Sequence, residues 1–248
     1  MIIFAPMKKA VLLTLSSVFA LSVGCLSASA QGQAELETFQ ATAGERSVIF
    51  RGKQAARYSF PANGHPYWTQ PAFETGDIVI EGNLYRDVPL NIDAHAQRAL
   101  VQLEGSPVSV ALTPAQVSSL TVNGRRFVGV GPDGDLPEGF YEVFGQGSEQ
   151  VYKHIFKRLE NSVTNANGST IGYYDENYRP DIVRHFSYFA SYYFRDAAGQ
   201  FSPFKGKSAL LRHFPDRKRE IRRGVNAAAI ARNDFDAFCK AVLNIAAQ

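Results

Sequence analysis

The sequence predicts a mainly β chain (α+β): an antiparallel β meander forming a sandwich or a partly open barrel, followed by short C-terminal helices. Three observations carry this expectation. From residue 46 to about residue 204, short apolar runs recur between turn residues, the pattern of paired strands. Asn123-Gly124 separates two such runs, and this dipeptide best tolerates the positive φ that both central positions of a type I′ hairpin turn require. After residue 205 the apolar period lengthens from that of a strand to that of a helix.

Taken in order, residues 47–50 and 54–60 read as strands around Gly52-Lys53, and residues 77–81 and 84–88 as a hairpin around Gly82-Asn83. Pro89 is expected to interrupt pairing, because it lacks the N–H that a strand ladder uses. Strands are then expected at 90–93, 99–103, 108–112, 120–122, 125–130, 140–144 and 150–159, the last pair joined through Gly145-Gln146-Gly147-Ser148. The polar stretch 164–170 is the best internal boundary. Beyond it, 185–194 alternates: Phe186, Tyr188, Ala190, Tyr192 and Phe194 share one face, and Ser187, Phe189, Ser191 and Tyr193 the other. So many large residues on both faces predict a strand buried on both sides. Asp196-Ala197-Ala198-Gly199 turns the chain into a last strand at 200–204.

In the C-terminal segment, Ser208 is placed to cap a short helix that Pro215 ends. Phe214, Ile221, Val225 and Ala228 recur at helical spacing, and Asn233 and Asp234 can cap a final helix with Phe235, Phe238, Cys239, Val242 and Ile245 on its apolar face. The domains expected are therefore 31–205 for the β region and 206–248 for a helical segment packed on it.

Residues 1–30 read as a signal peptide. Met7-Lys8-Lys9 is a positive n-region, residues 10–24 are apolar, and Ala28-Ser29-Ala30 is a small-x-small cleavage site. Cleavage after Ala30 gives an exported chain without a transmembrane helix, placed in the periplasm, on the outer membrane or outside the cell. The competing reading makes Cys25, in Ser22-Val23-Gly24-Cys25, a lipid-attachment site. Cleavage after Ala30 leaves Cys239 as the one cysteine, expected to be a buried and inert thiol. Loss of Lys8 and Lys9 lowers the 26 basic residues to 24 against 23 acidic ones, so the mature chain is near neutrality. Residues 205–223 nevertheless hold eight basic and two acidic side chains. A local basic patch on a neutral, exported protein excludes nucleic acid as the expected partner.

One resemblance spans most of the mature length. Gly64-His65-Pro66-Tyr67, then Gly76, Gly82 and Tyr85 leading into Asp87-Val88-Pro89-Leu90, Phe127, and Gly139-Phe140-Tyr141-Glu142-Val143 occur in order. Lys207-Ser208, Leu210-Leu211, Phe214, Pro215-Asp216-Arg217-Lys218 and Glu220-Ile221 follow. In these residues the chain resembles a family of exported Bacteroidota proteins without an assigned activity. The resemblance implies an exported β-rich protein with a helical C-terminus, and it carries over no catalytic residue.

No catalytic, cofactor-binding or metal-binding residues are expected. The five histidines (65, 95, 154, 185 and 213) have no second ligand at a metal-site spacing. Asp133-Gly134-Asp135 with Glu138 lacks the alternating acids and terminal Glu of a calcium loop. No G-x-S-x-G elbow is present, and the adjacent acids Asp175-Glu176 point apart on an extended segment. The expected function is a non-enzymatic envelope or secreted binding or structural module, its partner an envelope component or protein. The alternatives are a lipid or small-hydrophobe carrier, and a hydrolase assembled around Asp175 or Asp133. Arg217, Lys218, Arg219, Arg222 and Arg223 are the candidate contacts to an anionic surface, with Glu220 expected to pair with Arg223.

Overall fold

The structure is a computed structural model that describes Ile49 and residues 52–102, 108–164, 181–231 and 233–248, leaving the side chains of 162–164 and 181–183 aside. The expected signal, Cys25, most of the 164–170 boundary and Asp175-Glu176 lie outside the described residues. Among the described residues, eleven strands form one antiparallel sheet in the order β1-β5-β4-β3-β2-β6-β7-β8-β9-β10-β11, open at both edges. They are β1 (Lys53–Gln54), β2 (Glu74–Ile80), β3 (Asn83–Asp93), β4 (Arg98–Gln102), β5 (Ser109–Leu112), β6 (Val117–Val122), β7 (Arg125–Val130), β8 (Gly139–Phe144), β9 (Gln150–Thr164), β10 (Asp181–Arg195) and β11 (Phe201–Phe204). A mainly β fold with short C-terminal helices is thus what the chain adopts.

Local turn chemistry sets much of the meander. Asn123 and Gly124 both have positive φ (51° and 67°), so β6 and β7 join through the expected I′ turn. The β2–β3 turn is shifted by one residue from the expected Gly82-Asn83. Glu81 and Gly82 take the positive φ values (50° and 83°), and Asn83 already pairs with Ile80. Pro89 does not interrupt β3. It pairs opposite Thr75, and β4 joins the other side only from Leu90 onward. Of the strands expected at 47–50 and 54–60, the first lies outside the described residues apart from Ile49, and the second is corrected: β1 pairs with β5, and 55–62 is not a strand.

The sheet coils because its connections require it. In a flat sheet β5 and β6 would lie four strand spacings apart, about 19 Å. The four residues 113–116 join them, and they fold into a turn in which Gln116 N–H donates to the Thr113 carbonyl (3.1 Å). The far end of β3 likewise meets β9: Lys157 N–H donates to Ala94 O (3.0 Å), and His95 Nδ1 lies 2.9 Å from Lys157 O. Residues 63–68 span the same gap, with Asn63 bonded to β10 and Trp68 N–H donating to Ile92 O (2.8 Å). Inside the coil Ile78, Leu90, Leu120, Phe127 and Phe140 are fully buried, and Trp68 packs edge-on against Phe127.

Helices α1 (Lys207–Leu210), α2 (Lys218–Ala227) and α3 (Phe235–Ala246) follow, with a 3-10 turn at Leu211–His213. Gly206, not Ser208, occupies the N-cap of α1, and no side chain caps it. Asp234 caps α3 as expected, accepting from Ala237 N–H (2.8 Å). Leu210, Leu211, Phe214, Ile221, Val225, Phe238, Val242 and Leu243 join Phe144, Val151, Phe194 and Phe204 of the sheet in one core. Each such side chain contributes about 1.5–3 kcal/mol on leaving water. Gly224 lets α2 and α3 approach, since a Cβ there would sit 2.7 Å from Ile245 Cδ1.

Candidate functional site

Strands β9 and β10 pair over fifteen residues without a register shift, so their side chains divide cleanly between two faces. One face carries Val151, Lys153 and Ile155 of β9 beside Phe194, Tyr192, Ala190 and Tyr188 of β10. The helices cover this face at Phe194 and Val151 and leave it at Tyr188, which is 52% exposed. The expectation of a strand buried on both sides is corrected here. Among the β10 residues whose side chains are described, only Phe194 is buried.

Where helix and sheet meet, a polar network replaces the apolar core. Lys153 is a buried lysine near the start of β9, and its Nζ pairs with Asp236 Oδ2 in the first turn of α3. Tyr192 OH donates to the other oxygen of that carboxylate (2.8 Å). Burial first, then this hydrogen bond, pushes the Tyr192 phenol well above its usual range. Glu142 of β8, the cross-strand neighbour of Lys153, is itself buried and held bidentately by Arg125 Nε (2.9 Å) and Nη2 (2.6 Å). Burial opposes the Arg125 charge, but the Glu142 hydrogen bond and charge outweigh it and raise its pKa. Cations and carboxylates therefore alternate across three strands and a helix, each charge facing its opposite.

The other face of the same strands is an aromatic row. Phe156 stacks on Phe189 (5.2 Å, 11°), His154 on Tyr141 (4.8 Å, 25°), and Tyr152 meets Phe201 edge-on (5.0 Å). Arg158 lies over both Phe156 (5.5 Å) and Phe189 (4.9 Å). Tyr152, His154, Phe156, Phe189 and Tyr193 are half-buried, and the Arg158 side chain is exposed. His154 is held by Gln97, whose Nε2 donates to Ala94 O and Ile155 O. That fixes Gln97 Oε1 as acceptor for Phe140 N–H (3.0 Å) and His154 Nε2–H (3.2 Å). Burial lowers the His154 pKa to about 4, so the ring is neutral at pH 7.

Three clefts lie nearby among the described residues, one of them, of about 500 Å³, directly beside Lys153, Tyr192 and Asp236. Another of about 640 Å³ opens where β11 ends, walled by Ala190, Tyr192, Phe204 and Phe235. A smaller one of about 160 Å³ is lined by Trp68, Gln70, Glu74, Asn91 and Arg125. Its polar groups are largely spent internally: Asn91 Nδ2 donates to the carbonyls of Gln70, Pro71 and Ala72, and Gln70 bonds Glu74.

The basic segment is divided by the fold. Arg217 donates to the Ala246 (2.6 Å) and Ile245 (2.9 Å) carbonyls at the end of α3 and pairs with Glu220 (2.9 Å). Glu220 thus bonds backward to Arg217, not forward to Arg223 as expected. Arg219, Arg222 and Arg223 are exposed on α2, and Lys218 is half-buried. Cys239 is fully buried, and desolvation pushes its thiol up to about 12. Asp133 and Asp135 lie exposed in the turn between β7 and β8. Among the described residues no three His, Cys, Asp or Glu gather as a metal site, and no helix is long and apolar enough to cross a membrane.

Sequence reading missed Lys153, Asp236 and the exposure of the aromatic row. The lysine alone left a trace, as a charge between Val151 and Ile155 at alternate positions of one strand face. The chain matches no family model, no curated protein and no solved structure.

Proposed function

We propose that the mature chain, residues 31–248, is exported to the periplasm, the outer membrane or the cell exterior and works there as a non-enzymatic binding module. The half-exposed aromatic row across β9–β11, backed by the buried Tyr141 of β8 and capped by Arg158, carries this reading. Aromatic side chains offer large contact area at little entropic cost, and a guanidinium stacked over them adds a charged handle without covering their edges. The signal pattern at 7–30 and the resemblance to exported Bacteroidota proteins support the compartment. A carrier would need room inside the coil, where Ile78, Leu120 and Phe127 are packed, whereas the larger cleft lies at the sheet edge.

Co-sedimentation with purified outer-membrane and peptidoglycan fractions tests the reading. The mature chain should be retained, and the β9 face variant Phe156→Ser with Arg158→Ser should wash out while keeping its unfolding midpoint within a few degrees. Equal retention of the two proteins would remove the aromatic row from the function. Turnover of a substrate by the purified chain would remove the non-enzymatic reading.

A further inference from the structure

Among the described residues, the sheet edge at β10 is open in its middle. Asn63 takes one end of it, donating its N–H to Arg184 O and accepting from Phe186 N–H (2.8 and 3.0 Å). β11 takes the other end, pairing only from Tyr192 to Arg195, because the chain turns away after Phe204 at Gly206 (φ 78°). Backbone groups alternate sides along a strand, so Tyr188 and Ala190 aim both N–H and C=O at the same edge as Phe186 and Tyr192. No described residue bonds them there. The opening from Phe186 to Tyr192 is about 20 Å long. Natural sheets guard such edges with charge, proline or a bulge, yet Ser187-Tyr188-Phe189-Ala190-Ser191 has none and runs in unbroken register with β9.

We infer that this edge is a docking site for an extended acidic peptide segment of a partner protein, about five residues of which pair with β10 as an added strand. The inference rests on the chain working by binding but on a different surface from the aromatic row. The cleft of about 640 Å³ begins at Ala190, whose small side chain leaves room for a large apolar guest side chain against Tyr192, Phe204 and Phe235. Arg184 and Lys205 stand exposed at the two ends of the opening, which favours acidic residues flanking the guest core. A second copy of the chain does not fit as occupant. Its own β10 is fifteen residues long, about 50 Å, and would run into β11 and the Asn63 segment.

Selection of a phage-displayed random heptapeptide library on the immobilised mature chain, counter-selected on Ala190→Pro, tests this. Proline removes one edge donor and fills the gap, at an edge position where it is tolerated. Enriched sequences should alternate, with a central aromatic and acidic flanks. Their synthetic peptides should slow hydrogen exchange of the Tyr188 and Ala190 amides at least tenfold. Binding should vanish when the guest's edge-facing amides are N-methylated, weaken roughly tenfold in Lys205→Glu, and survive in the β9 face variant. Loss in the face variant with Lys205→Glu unaffected would assign the peptides to the aromatic row and overturn the edge site. No enrichment over Ala190→Pro, protection elsewhere, or tolerance of N-methylation would also overturn it. A dimer in sedimentation equilibrium that Ala190→Pro abolishes would replace the partner peptide by a second copy.

Discussion

Replacing Asp236 by alanine should loosen the C-terminal helices more than any comparable surface change. The Lys153 side chain is 6% exposed and that of Asp236 31% exposed, so the substitution strands a buried ammonium, while its partner in the wild type still touches water. Breaking a fully buried pair from one side costs about 3–5 kcal/mol. The partial exposure of Asp236 lowers that share to about 2–3 kcal/mol, and the orphaned Tyr192 hydroxyl adds about 1 kcal/mol. Glu142 does not rescue Lys153 freely, because Arg125 already holds both its oxygens. A net loss of about 3 kcal/mol corresponds to a urea midpoint lower by about 1.5 M at a slope of about 2 kcal/mol/M. Lys153→Met should cost about 1 kcal/mol or less, since methionine fills the space and Asp236 can hydrate. The double variant should resemble Lys153→Met, not the sum of the two. Urea titrations followed by circular dichroism decide this. A cost below about 1 kcal/mol for Asp236→Ala, or one no larger than for Lys153→Met, would refute the buried-charge argument.

Three further outcomes follow from the same geometry. Because the His154 pKa falls from 6.5 unfolded to about 4 folded, unfolded chains take up the proton first as pH drops. Stability attributable to this ring is therefore full above pH 6.5, falls by up to about 3 kcal/mol toward pH 4 and is flat below; His154→Gln should flatten that slope in pH-dependent unfolding, and an unchanged slope would exclude the ring as its source. Cys239, buried with its pKa raised to about 12, should resist a thiol reagent at pH 8 until the chain is unfolded, and rapid labelling of native protein would contradict its placement. Arg217→Gln should lower the thermal midpoint by a few degrees through the lost helix-end hydrogen bonds, whereas Arg219→Gln with Arg223→Gln should leave it unchanged; only the latter pair can report on binding to anionic vesicles.

What the sequence made legible is what neighbouring residues decide. Asn123-Gly124 specified its hairpin because positive φ is a local steric matter, and Asp234 specified its helix start because a cap is a bond to the third residue onward. The alternation of 185–194 assigned the two faces of β10 correctly. It did not say which face would be covered, since large aromatics suit a buried strand and a recognition surface equally. Pro89 misled because the rule against proline in strands concerns the missing N–H, and here β4 pairing begins one residue later. The network that marks the candidate site joins residues 83 apart, Lys153 and Asp236, and no periodicity encodes such a meeting. The open edge of β10 is likewise a property of where β11 stops.

The central claim, that β9–β11 form the working surface, is tested most directly by hydrogen–deuterium exchange of the mature chain bound to outer-membrane and peptidoglycan fractions. The account predicts added protection in β9, β10 and β11, with α2 exchanging as in the free protein. Protection confined to α2 around Arg219, Arg222 and Arg223, with β9–β11 unchanged, would contradict it and place the function on the basic helix.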